Sequence, residues 1–146
     1  MFLNQKVSET LAVLGTLDPI SQAAATVTTG WVDAGQYHSL MALIQTGVLG
    51  ASATVDAKLQ QAQDSGGTGA KDITGKAITQ IVKASGDNKQ AIINMKNADM
   101  DVEGGFRYVR LSLTVGTAAS LIAATLYGSM PRMAPVANQA ATVQVV

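Results

Sequence analysis

The chain has 146 residues, enough for one domain with a real core and too few for two of ordinary size. Ten basic and ten acidic side chains cancel, and 14% of residues are charged, against roughly a quarter in an average soluble domain. Such a chain lacks the clustered Lys and Arg that neutralise nucleic-acid phosphates, and its weak self-repulsion permits close packing against neighbours. The absence of cysteine excludes a disulfide framework, a thiolate metal site and a cysteine nucleophile, and suits folding in a reducing cytoplasm.

Short runs of period-two character separated by Gly, Asp, Asn and Ser clusters predict an antiparallel sandwich or barrel. The first strand is expected at Val7 to Leu14. Lys6 and Glu9 interrupt the apolar N-terminal stretch MFLNQKVSETLAVLG, so a signal peptide is not expected. Ala24 to Val32 follows, rich in β-branched Thr and Val. Ser39 to Val48 is apolar on both faces, as a central buried strand would be. In Ala53 to Gln61, Ala53, Val55, Ala57, Leu59 and Gln61 alternate with Thr54, Asp56, Lys58 and Gln60. A helical stripe there would have to include Asp56 or Lys58, so a strand is expected.

Asp64 to Lys71 reads as an exposed turn, Ile73 to Val82 as one or two short strands, and Ala84 to Lys89 as a second turn. Gln90 to Met95 sets Ala91, Ile93 and Met95 on one face. Phe106 to Val115 gives the clearest alternation, with Val109, Leu111, Leu113 and Val115 inward and Tyr108, Arg110, Ser112 and Thr114 outward. Leu121 to Tyr127 completes seven or eight strands. As the longest apolar run, it falls far short of the ~20 residues that span a bilayer, so no membrane partner is expected. The fold class that results is all-β: an antiparallel, jelly-roll-like β-sandwich over residues 1–129 with extended terminal arms. From Met130 to Val146 two prolines and little charge predict an extended C-terminal arm, best placed across a neighbouring subunit.

Catalytic chemistry has little to work with. The single histidine, His38, has no GxSxG elbow to serve and reads as a strand-end residue. Asp99, Asp101 and Glu103 alternate, but the glycine and glutamate that complete an EF-hand loop are missing, so a solvated turn is expected. Ser65 to Gly69 lacks the GxxxxGK[ST] pattern of a phosphate loop and reads as a flexible hairpin loop. No catalytic residue, metal ligand or cofactor is therefore assigned. Protein contact is the remaining chemistry, and its candidates are Trp31, the outward Tyr108 and Arg110, and Met130, Arg132 and Met133 at the start of the arm. Met41 and Met95 are expected to fill gaps in the core.

The ordered series TTGWVDAGQYHSLMALIQTGVLGASATVDAKLQQAQDSGGTGAKDITG, GDNKQAIINM and GGFRYVRLSLTVGTAAS resembles small tailed-bacteriophage virion proteins of the capsid decoration or cement type. The shared pattern runs through Asp33 and Gly35, Gly47, Leu59 to Gln61, the Asp-Ser-Gly loop, Asp72-Ile73, and the Phe106 to Arg110 strand with Gly116 to Ala118. The tail departs from it, since the group's tail is often shorter and more basic. The resemblance implies a non-enzymatic structural protein on the capsid surface of a virion assembled in the host cytoplasm. It would act as a homo-dimer or homo-trimer, with the major capsid protein as partner and capsomers as the units cemented. Two other readings fit the same strands: a carbohydrate-binding module using Trp31 as a stacking platform, and a head-completion or tail component.

Overall fold

The computed structural model describes residues 4–134 and 136–146. Among the described residues ten strands form two antiparallel sheets that close on one core in a jelly-roll-like sandwich. The strands are β1 (Leu11–Gln22), β2 (Ala25–Thr28), β3 (Val32–Asp33), β4 (Tyr37–Thr46), β5 (Thr54–Ala62), β6 (Lys71–Ala77), β7 (Ile81–Val82), β8 (Gln90–Lys96), β9 (Tyr108–Gly116) and β10 (Ser120–Pro131). The four-stranded sheet runs β1-β10-β4-β8 and the six-stranded one runs β2-β9-β5-β6, with β3 beside β9 and β7 beside β5.

The alternation in the sequence sets the core. On β9, Val109, Leu111, Leu113 and Val115 are buried, and so are Val55, Ala57, Leu59 and Gln61 on β5 with Ala53 just before it. Leu40, Ala42 and Ile44 of β4, Ile93 and Met95 of β8, and Ile122, Ala124 and Leu126 of β10 fill the opposing side. A period of two puts every second side chain inward, so burying these sets fixes each strand's register.

Several expectations need correction. Residues Val7–Thr10 form a four-residue helix, α1, in place of the start of a strand, because the Glu9 carboxylate accepts the Lys6 N–H at 3.1 Å and closes the turn. The first strand, expected to end at Leu14, runs on to Gln22 through Gly15, Asp18 and Pro19. Register shifts between Val13 and Gly15 and between Leu17 and Ile20 absorb them, and an edge strand tolerates a proline that a central strand would reject. The run from Ala24 to Val32 is two strands, broken at Thr29 to Trp31. There the Thr29 N–H donates to the Leu111 carbonyl at 3.0 Å, while its hydroxyl accepts the Leu111 N–H at 3.0 Å.

Met130 and Pro131 belong to β10, where Pro131 lies opposite Tyr37. Nor does the following segment leave the body of its own chain. The Gln139 N–H donates to the Val13 carbonyl at 2.8 Å, the Val13 N–H donates to Asn138 Oδ1 at 2.8 Å, and Val136 packs on the core. Beyond this clasp Val143 and Val146 are strongly exposed, at 95% and 97%, as is Met133 before it at 79%.

Candidate functional site

The strand register brings three of the candidate residues together on the outer face of the six-stranded sheet. Gln60 lies opposite both Arg110 and Asp72, and Ala62 lies opposite Tyr108. Arg110 Nε donates to Gln60 Oε1 at 2.9 Å, Gln60 Nε2 donates to Asp72 Oδ1 at 2.8 Å, and Lys58 Nζ meets Asp72 Oδ2 at 2.7 Å. The Arg110 guanidinium also stands 4.5 Å from the centroid of the Trp31 ring. Hydrogen bonds from Lys58 and Gln60 hold the Asp72 carboxyl below its ordinary value against a small opposing effect of burial.

Trp31 is half-buried, with Gly67 against its edge. Gly67 has φ +88°, and a Cβ there would stand 2.6 Å from Trp31 Nε1, so both backbone angle and space require glycine. The loop carrying it is organised by Asp64. That carboxylate accepts the Gly66 N–H at 2.9 Å, the Thr68 N–H at 3.0 Å and the Thr68 hydroxyl at 2.6 Å. The stretch expected as a flexible hairpin loop is thus a hairpin turn tied at its base.

Met130, Arg132 and Met133 lie apart from this cluster, at the end of β10. Met130 has φ +50°, a left-handed bend just before Pro131, and is 56% exposed. Met133 is exposed, and the Arg132 N–H donates to the Gln36 carbonyl at 2.9 Å. The Arg132 side chain borders a cleft of about 530 Å³ shared with Ala34, Gly35, Asn97, Met100, Phe106 and Arg107. Beside it Asp33 caps the short turn Ala34–Gln36 through the Gly35 N–H at 2.9 Å and takes both Nε and Nη2 of Arg107 at 2.6 Å. Burial pushes the Asp33 carboxyl up, but the bonds from Arg107, Gln36 and Gly35 outweigh it and hold it below 3.8.

The outer face of the four-stranded sheet has a different composition, and sequence reasoning did not single it out. Cross-strand rows there read Val13, Tyr127, Met41, Asn94 and Thr16, Thr125, Leu43, Ile92. Ala123, Gln45 and Gln90 continue it, with Leu121 beside them. Ile92 is 55% exposed and Leu121 45%. Two charged side chains lie along its strands: Lys96 at the end opposite Ser39, and Asp18 of β1, which accepts the Thr16 hydroxyl at 3.3 Å. Met41 is on this outer face and does not fill the core, whereas Met95 does. The signal was present in Ser39 to Val48, whose apolar residues occupy both faces.

His38 is exposed on β4 and makes no side-chain hydrogen bond among the described residues. Asp99 and Asp101 are held by Lys76 at 3.0 Å and Lys71 at 2.6 Å, and the described residues include no group of three or more metal-ligating side chains. Among the described residues no helix is long and apolar enough to cross a membrane.

No protein-family model and no curated protein matches the sequence. Among solved structures, the chain is similar to the SPBc2 prophage-derived protein YomS at 9% identity and a TM-score of 0.45, over 81% of this chain and 93% of that one. It is similar to a CBM4 structure at 12% identity and a TM-score of 0.45, over 78% of this chain and 67% of that one. A third likeness is to the Broad Bean Stain Virus structure, at 14% identity and a TM-score of 0.40, over 86% and 66% of the two chains. A phage-derived protein, a plant virus and a carbohydrate-binding module thus stand among the β-sandwich neighbours, and nothing about function follows at these values.

Proposed function

We propose that this chain is a structural protein of a tailed-phage virion that binds the outer surface of the capsid and cements neighbouring capsomers as a homo-dimer or homo-trimer. The observation that carries this reading is the outer face of the four-stranded sheet, where Val13, Tyr127, Met41, Leu43, Ile92 and Leu121 meet water almost without charge. Such a face gains by burial against another protein surface. The decoration-type sequence pattern supports the capsid as that surface.

At the usual strand spacing and rise, a four-stranded face of this length covers on the order of 500 Å² in projection. That is less than the roughly 800 Å² each partner buries in a standard interface. One copy therefore binds weakly, and an oligomer on a repetitive shell holds through many modest contacts at once.

A carbohydrate-binding role asks for an open aromatic platform. Here Arg110 stacks on Trp31 and Gly67 abuts the ring's edge, which favours the protein-contact reading. Co-sedimentation with expanded empty capsids is the test: the protein pellets with shells and saturates at hundreds of copies per particle. Protein that stays in the supernatant at every concentration overturns the proposal, and a handful of copies per particle moves it to a vertex or tail position.

A further inference from the structure

The cleft beside Arg132 combines three features that neither sheet face uses. Its volume, about 530 Å³, falls within the roughly 300–1,000 Å³ of ordinary ligand sites. Met100, 8% exposed, Phe106 and Ala34 give it apolar lining, and Val102 stands at its margin 64% exposed. Two guanidiniums border it with different standing. Arg107 is neutralised by its two bonds to Asp33, whereas the Arg132 side chain has no carboxylate or other hydrogen-bond partner among the described residues.

The third feature is Asn97. Its Nδ2 donates to the Tyr37 carbonyl at 2.6 Å, which fixes the amide's orientation, since the reverse would set two acceptors against each other. Its Oδ1 is buried and has no donor. Buried acceptors are nearly always satisfied, and this one belongs to a residue of the cleft wall, so a small shift of the side chains over it would open it to an N–H or O–H from something that enters.

We propose that this cleft binds an extended acidic peptide segment, in which an Asp or Glu reaches Arg132, the adjacent apolar side chain rests on Met100 and Phe106, and a backbone N–H donates to Asn97 Oδ1. An extended peptide offers a carboxylate, an apolar group and an N–H within one residue of each other, which matches the three demands in one ligand. That the segment comes from the major capsid protein rests on the function proposed above; the chemistry of the cleft does not.

The test uses ¹⁵N-labelled full chain titrated with acetyl-Leu-Asp-Leu-amide and with acetyl-Leu-Asn-Leu-amide. Saturable shifts are expected at Gly35, Gly105 and the Asn97 side-chain amide, with the Asn peptide bound about five-fold more weakly. Arg132→Gln, at an exposed position, abolishes that preference. Absence of saturable shifts at these groups, or equal affinity of the unsubstituted chain for both peptides, overturns the site. Capsid co-sedimentation separates the two claims. Peptide discrimination without shell binding sinks the proposed function and leaves the cleft standing. Equal shell binding by the unsubstituted chain and Arg132→Gln removes the capsid protein as the source of the segment, and at least three-fold weaker binding by the variant supports it.

Discussion

Across the four-stranded sheet the central outer row reads Thr16, Thr125, Leu43, Ile92, and across the six-stranded sheet a comparable row reads Arg110, Gln60, Asp72. In the second row each polar group has a lateral partner within 2.9 Å, so this face is satisfied in water and a partner covering it would have to desolvate paired charges. In the first row only Thr16, at the β1 end, makes side-chain hydrogen bonds, to Asp18 and from Gln139, each at 3.3 Å; covering the remainder removes apolar surface from water at about 25 cal/mol per Å². The two sides of one sandwich therefore differ in what contact would do to them, although their inner faces share a single core.

Four changes sharpen or break that contrast. The largest effect is expected from Leu43→Lys, which sets an ammonium in the middle of the apolar face. Capsid affinity should fall at least ten-fold while stability changes by about 1 kcal/mol. Undiminished co-sedimentation would show that this face is not the contact. Next, Gly67→Ala strains a φ of +88° and drives a methyl toward the indole. A loss of about 1–2 kcal/mol in urea unfolding is expected, together with a changed Trp31 emission and unchanged capsid binding.

Asp33→Asn should lower stability by about 1 kcal/mol, since it removes an exposed two-pronged ion pair while keeping much of the turn cap. This pair also sets a pH dependence. The folded-state carboxyl lies below the ordinary 3.8, so the folded form favours the charged state more than the unfolded chain does. Its stabilisation is fully present above about pH 5 and is lost as pH falls through 4 and below. Asp72 and Asp99 are lowered in the same direction and add to it. Thermal melts between pH 8 and pH 2.5 should be flat at the top and fall only in the acid limb, with a shallower fall in Asp33→Asn. The smallest effect is expected from Lys58→Ala, where both partners of the Asp72 ion pair are well exposed. Less than about 0.5 kcal/mol should be lost in a denaturant titration, with capsid binding unaltered.

The strands were legible wherever alternation was uninterrupted. Val109, Leu111, Leu113 and Val115, and Ala53 to Gln61 at alternate positions, are buried as their period requires, while Ser112, expected outward, is buried as well. The long β1 was only partly legible, because Asp18 and Pro19 signal a turn in one dimension and an edge bulge in three. The candidate contacts were legible as residue types and not as a surface. Trp31, Tyr108 and Arg110 do share a face, yet no sequence rule pairs Arg110 with Gln60 and Asp72 before the register of three strands is known. The cleft was invisible for the same reason. Asn97, Phe106 and Arg132 have no common spacing, and only the return of β10 past Tyr37 brings them to one place.

The clasp of Asn138 and Gln139 on Val13 has a consequence for how copies of this chain could join. A strand margin recruits another strand by offering a free donor and a free acceptor on the same residue, and at Val13 the chain's own tail already occupies both. With β1 blocked there, the opposite margin at β8 is the less obstructed route for extending that sheet. Val13 is one of the twelve residues of β1, so the clasp bars that part of the margin from pairing with a further strand.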